Sequence, residues 1–175
     1  MGSRSAVACD FPPESALPGI FGAFGYSDSF AIGLDRSELK MHEIYLGIFG
    51  HIPSWLKSLL VVRNAIVSPF GISGPTMHDM NHIEFRDSYA VGDKIVRWTL
   101  YAQTADEIVS GMNDKHLDFR VSLFRQRIDR NGRVVLSTAV KTHNRFGQFY
   151  LRTILPFHRI GVTRLLENAA EAERI

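Results

Sequence analysis

The sequence predicts an α+β fold in which a curved antiparallel sheet of about six or seven strands wraps a long C-terminal helix, with two short helices after the first strand. Three observations predict it. The region from His82 to His143 is strand-like almost throughout, apolar residues recur at three and four from Gly147 onward, and two runs of that same helical spacing follow the first strand.

Taken in order, residues 1–25 carry Pro12, Pro13, Pro18, Gly19, Gly22 and Gly25 with no sustained period, which reads as an extended arm instead of a packed element. Residues 26–175 read as a single domain. Ser27–Leu34 is a short apolar run closed by Asp35 and predicts the first strand. Leu39, Met41, Ile44, Tyr45 and Phe49 then predict one helix, ended by Gly50; Leu56, Leu59, Leu60, Val62 and Ile66 predict another, with Ser54 as its cap after Pro53. Past the turn-rich GISGPTMHDMN come the strand runs IVRWTLYA, EIVSGM, HLDFRVSLFRQRI and RVVLSTAVKTH. The last two flank DRNG, whose Asn131 and Gly132 favour the positive φ of a tight hairpin. Tyr150, Leu151, Ile154, Leu155, Phe157, Val162, Leu165, Leu166 and Ala169 mark the final helix, with a kink or restart expected at Pro156.

The totals fit one core. A chain of 175 residues, 45% hydrophobic and 22% charged, buries about 70% of its unfolded surface without staples. Twenty basic against eighteen acidic residues give +2, far from the basic stripe of a nucleic-acid binder. The single cysteine, Cys9, can form no intrachain disulfide and has no thiol partners for a metal site. MGSRSAVACDFPPES lacks the apolar core of a secretion signal, and no apolar stretch spans a bilayer, so the expectation is a cytoplasmic protein without membrane insertion.

Alternation on the strand 114–124 puts Asp114, His116, Asp118, Arg120 and Ser122 on one face and Leu117, Phe119, Val121 and Leu123 on the other. A two-residue DRNG turn, with Arg130 opposite Arg133, sets Arg120 opposite His143 and Asp118 opposite Arg145. His116 or His143, oriented by Asp118 with Arg120 beside a developing oxyanion, then form the catalytic candidates of a cyclase or hydratase. The same groups equally make a ladder of ion pairs. Asp114, Arg145, Tyr150, His158 and Arg159, gathered near the start of the last helix, are candidate ligand-binding residues for an anionic group, with Asp114 or Asp118 as alternative partners for His158 and Arg159. Trp55 and Arg63, in the second predicted helix, are candidates for a pocket mouth. No metal site and no cofactor is expected: the chain has no G-x-S-x-G elbow, P-loop, H-E-x-x-H or G-x-G-x-x-G run.

The order of elements resembles the helix-grip superfamily of START domains and polyketide cyclases, in which a sheet encloses a cavity against the last helix. More specifically, WLKSLLVVRNAIVSPFG (55–71), NDKHLDFRVSLF (113–124) and THNRFGQFYLRTILPFHR (142–159) resemble the signature blocks of an uncharacterised bacterial family of unknown function. That resemblance covers Asp28 to about Leu166. The helix-grip order implies a cavity and the family a reductase-like domain as partner; a small hydrophobic or amphipathic ligand and a homodimer are further expectations. Three functions stay open: binding of that molecule, an enzyme built on the His/Asp/Arg cluster, and a protein-interaction or regulatory domain.

Overall fold

The computed structural model describes residues 5–51, 53, 54, 56–58, 61, 64, 86–127 and 132–175. Its elements are β1 (Val7–Ala8), α1 (Leu17–Phe21), β2 (Tyr26–Gly33), α2 (Met41–Phe49), β3 (Lys94–Ile95), β4 (Trp98–Gln103), β5 (Glu107–Asn113), β6 (Leu117–Gln126), β7 (Arg133–Thr142) and α3 (Arg145–Glu171). The strands form one antiparallel, curved sheet in the order β1-β2-β7-β6-β5-β4-β3, so the meander β3 to β7 is closed by the first long strand lying against the last. This is the predicted α+β architecture. Of the second predicted helix, Ser54, Leu56, Lys57, Ser58, Val61 and Asn64 are helical; its other residues, Trp55 and Arg63 included, lie outside the described residues.

The alternation in each strand sorts two layers. Phe30, Ile32, Leu100, Ile108, Val121, Leu123, Val134 and Leu136 face α2 and the C-terminal half of α3, and with Ile44, Tyr45, Ile48, Leu165, Leu166 and Ala169 they form the main core. The opposite face carries a smaller cluster of Leu17, Phe21, Val109 and Ala139. The N-terminal segment, expected to lack a packed element, supplies half of that cluster: α1 buries Leu17 and Phe21 on the sheet. One turn is too short for periodicity to reveal.

Two further expectations are corrected. The run IVRWTLYA is broken between β3 and β4 by Val96, whose φ of 59° turns the chain so that Ile95 pairs with Trp98. The β6–β7 hairpin is longer than a two-residue DRNG turn: Gln126 pairs with Arg133, so Asp118 lies opposite Lys141, not Arg145, and Arg120 opposite Ala139, not His143. The displacement is an even number of residues, so every side chain keeps its face. Hydrophobic alternation is equally satisfied by either register. Finally, α3 starts at Arg145 with the Asn144 side chain accepting from the Gly147 N–H at 2.9 Å, and it continues through Pro156.

Candidate functional site

The helix-facing side of the sheet carries two adjacent rows. In one, register aligns Tyr26, Val140, Phe119 and Met112 across β2, β7, β6 and β5. Trp98 of β4 extends it, its ring meeting Phe119 edge-on at 5.5 Å and Phe49 of α2 at 5.2 Å. Tyr26, Phe119, Met112 and Trp98 are half-buried, with Phe119 and Trp98 packed against the main core. The next row runs Asp28, Thr138, Val121, Ser110 and Leu100. Here the polar groups collect at the β2–β7 end.

Asp28 is the centre of that end. Its Oδ2 accepts from the Tyr26 hydroxyl at 2.5 Å, its Oδ1 lies 3.4 Å from His158 Nε2 of α3, and Arg159 Nε stands 3.9 Å from Oδ2. Burial, reinforced by the hydrogen bond to the Asp28 carboxylate, pushes the Tyr26 phenol up to about 12 against the opposing pull of Arg159. Beside Asp28, the buried Thr138 hydroxyl has no hydrogen-bond partner among the described residues. A buried polar atom of this kind is costly unless something supplies its partner.

The other predicted residues sort by face. Arg120 points away from α3, its guanidinium carbon 3.8 Å from the Tyr101 ring centre and 4.7 Å from that of Phe21. Its Nη1 donates to the carbonyls of Phe119 and Met112 and its Nη2 to Asn113 Oδ1 at 2.7 Å. Gly111 opposite makes room, since a Cβ there would lie 2.2 Å from the Phe119 oxygen. Asp118 meets His143 Nε2 at 3.0 Å and accepts from the Asp114 N–H. Asp114 in turn accepts from the His116 N–H, and the His116 ring packs 4.8 Å from Phe146 with Nδ1 3.0 Å from Asn144 Nδ2. These four residues knit the β5–β6 turn to the start of α3, where a Cβ on Gly147 would sit 2.2 Å from the His116 oxygen. Tyr150 is buried among Leu117, Phe146 and Ile154, and Arg145 is exposed on the first turn of α3.

The structure thus separates His158 and Arg159 from the cluster around Asp118 and gives them Asp28 as partner. Sequence reading missed Asp28 and Tyr26, although Asp28 is the one acid in the apolar run of β2. It also missed Glu107, a buried acid heading β5. Glu107 Oε1 accepts from Ser15 and Ser122, both at 2.5 Å, and Oε2 from the Ala16 N–H at 2.8 Å, which pins the N-terminal segment to the sheet.

At the far end of the sheet a cleft of about 510 Å³ is lined by residues 37–42, 103–105, Arg125 and Arg127. Its two arginines are already engaged: Arg125 holds Asp106 and the carbonyls of Leu39 and Ala105, and Arg127 also holds Asp106. Loss of water around Asp106 opposes ionisation, but hydrogen bonds from the two arginines hold its carboxyl below the usual range. This arrangement clamps the β4–β5 turn to the loop before α2.

Residues 20–165, which hold both sheet faces and most of α3, match the family described as protein of unknown function DUF2867. The chain belongs to that family. No curated protein and no solved structure matches it. On the side where sheet and C-terminal helix meet, this chain therefore has a buried hydroxyl without a hydrogen-bond partner among the described residues, that of Thr138, directly beside Asp28.

Proposed function

We propose that this DUF2867 domain binds a small hydrophobic or amphipathic molecule between the helix-facing side of the sheet and α3. The apolar part lies along Val140, Phe119, Met112 and Trp98, and a hydroxyl or carbonyl group is held by Thr138 with Asp28, Tyr26 and His158. The observation that carries this reading is the buried, unpartnered Thr138 hydroxyl next to the Asp28 carboxylate, at the end of a half-buried aromatic row. A helix-grip relationship and a place in the bacterial cytoplasm accord with it.

The test is thermal denaturation with a panel of lipophilic alcohols, ketones and carboxylic acids. A ligand that binds only the folded state raises Tm with concentration, by an amount equivalent to about 2.7 kcal/mol at a hundredfold excess over Kd. The expected result is a shift in the native protein that Thr138→Val and Asp28→Asn diminish. A panel without any shift, or a shift indifferent to both substitutions, overturns the reading.

A catalytic version has one specific observation in its favour, the Asp28–His158 pair itself. Carboxylate-oriented histidine is an acid/base arrangement, with Tyr26 as a second proton carrier on the same carboxylate. Turnover of a ligand found by the screen, lost in His158→Gln while binding persists, distinguishes it from binding alone.

A further inference from the structure

The outer face of α3 is unlike the rest of the surface. Phe149, Phe157 and Ile160 are 69%, 56% and 57% exposed, and their spacing of eight and three places them on one side of the helix together with exposed Pro156. Arg145, Arg152, Arg159 and Arg164 are exposed along the same stretch. No aspartate or glutamate occurs between Asp129 and Glu167. Of these arginines, Arg159 stands near Asp28 of β2 and Arg164 pairs with Glu167 on the next turn of α3. Bulky apolar side chains are thus displayed on a convex ridge, rimmed by arginines.

We propose that this ridge seats the domain on the surface of an anionic lipid bilayer. The pattern is that of an interfacial helix, in which aromatic and aliphatic side chains enter the headgroup boundary while arginines remain at its level and meet lipid phosphates. Insertion across the bilayer is not involved: among the described residues no helix is long and apolar enough to cross a membrane. A second copy of the chain is a poor occupant, because pairing this face with itself sets arginine against arginine. A deformable anionic surface matches both the convexity and the charge. The inference is independent of the ligand proposed above, which lies on the other side of α3.

The test is flotation of the full chain with vesicles of phosphatidylcholine alone and with about 30 mol % phosphatidylserine, at about 0.05 M and about 0.5 M NaCl. Binding to the phosphatidylserine vesicles at low salt, weakened at high salt, is the expected result. The double variant Arg152→Glu/Arg164→Glu should lose at least about tenfold in partitioning, since each basic residue near such a surface contributes about fivefold. Phe157→Ser/Ile160→Ser should also weaken binding, whereas Lys94→Glu, on the edge strand β3, should not. Circular dichroism confirms that the exposed substitutions leave the fold intact. No binding, equal binding to both vesicle types, or binding unchanged in the arginine variant overturns the proposal, as does a concentration-dependent dimer that Phe157→Ser/Ile160→Ser dissolves in the absence of vesicle binding.

Discussion

The two faces of one sheet differ in what surrounds their buried polar groups. On the face covered by the N-terminal segment, Glu107 takes hydrogen bonds on both oxygens and Ser29 meets Ser137 at 2.8 Å, while Arg120 is stacked on Tyr101 with both terminal nitrogens engaged and only its Nε unmatched among the described residues. On the face under α3, Asp28 has several partners, yet the neighbouring Thr138 hydroxyl has none among the described residues and the adjoining aromatic row is half-buried. The first pattern is what a structural lock requires. The second leaves hydrogen-bonding capacity unused, which is what the proposed ligand would take up. Neither burial of charge nor a single unmatched atom identifies a site in this domain; the combination of an unmatched hydroxyl, a neighbouring carboxylate and a half-buried apolar row is what sets the Asp28 end apart.

That contrast can be broken by mutation. The largest loss of stability is expected for Gly147→Ala, because the new Cβ must displace the His116 carbonyl that also accepts from the His143 N–H. Urea denaturation should show a loss of about 3 kcal/mol or more. Glu107→Ala leaves two buried serines and the Ala16 N–H without their acceptor and should cost about 2–4 kcal/mol, with Glu107→Gln recovering part of it. Arg120→Lys keeps the charge but loses the planar stack and the paired donors, for about 1–2 kcal/mol. All three should leave ligand-induced Tm shifts in place once corrected for the lower starting stability.

Asp28→Asn should behave in the opposite way, keeping an acceptor oxygen for the Tyr26 hydroxyl but losing the ligand response. It also sharpens the contrast through pH. The Tyr26 phenol is raised to about 12 in the fold, against about 10 in an unfolded chain, so the stability it contributes is intact below pH about 10 and is lost as the pH rises through 12. Burial raises the fully buried Tyr45 as well, so absorbance titration of the phenolate band should show a late-ionising tyrosine besides Tyr45 that is absent in Tyr26→Phe and moves to lower pH in Asp28→Asn. An unchanged titration in Asp28→Asn contradicts the account of this end of the site.

How much of this was legible in the sequence depends on range. The faces of β6 and β7 were readable because alternation extends over ten residues in each strand. The register was not, since a displacement by an even number buries the same apolar set. Arg120 was visible as a charge within a strand, but the rings that enclose it come from Phe21 and Tyr101, and only folding brings them together. The same holds for the pair of Asp28 with His158, 130 residues apart. His143 meets Asp118, where the expected register had set it opposite Arg120, and sequence offered no way to learn that α3 covers the other side.

The central claim is that the side of the sheet under α3 holds a small molecule by its polar end at Asp28 and Thr138. Mass spectrometry of the purified protein under native and then denaturing conditions, on the natural sequence and on Thr138→Val/Asp28→Asn, tests it most directly. The account predicts a stoichiometric small-molecule adduct on the natural sequence, released on unfolding and depleted in the double variant, with Glu107→Gln retaining it. An adduct equally present in the double variant, or a bare mass even after incubation with the lipophilic panel, would contradict it.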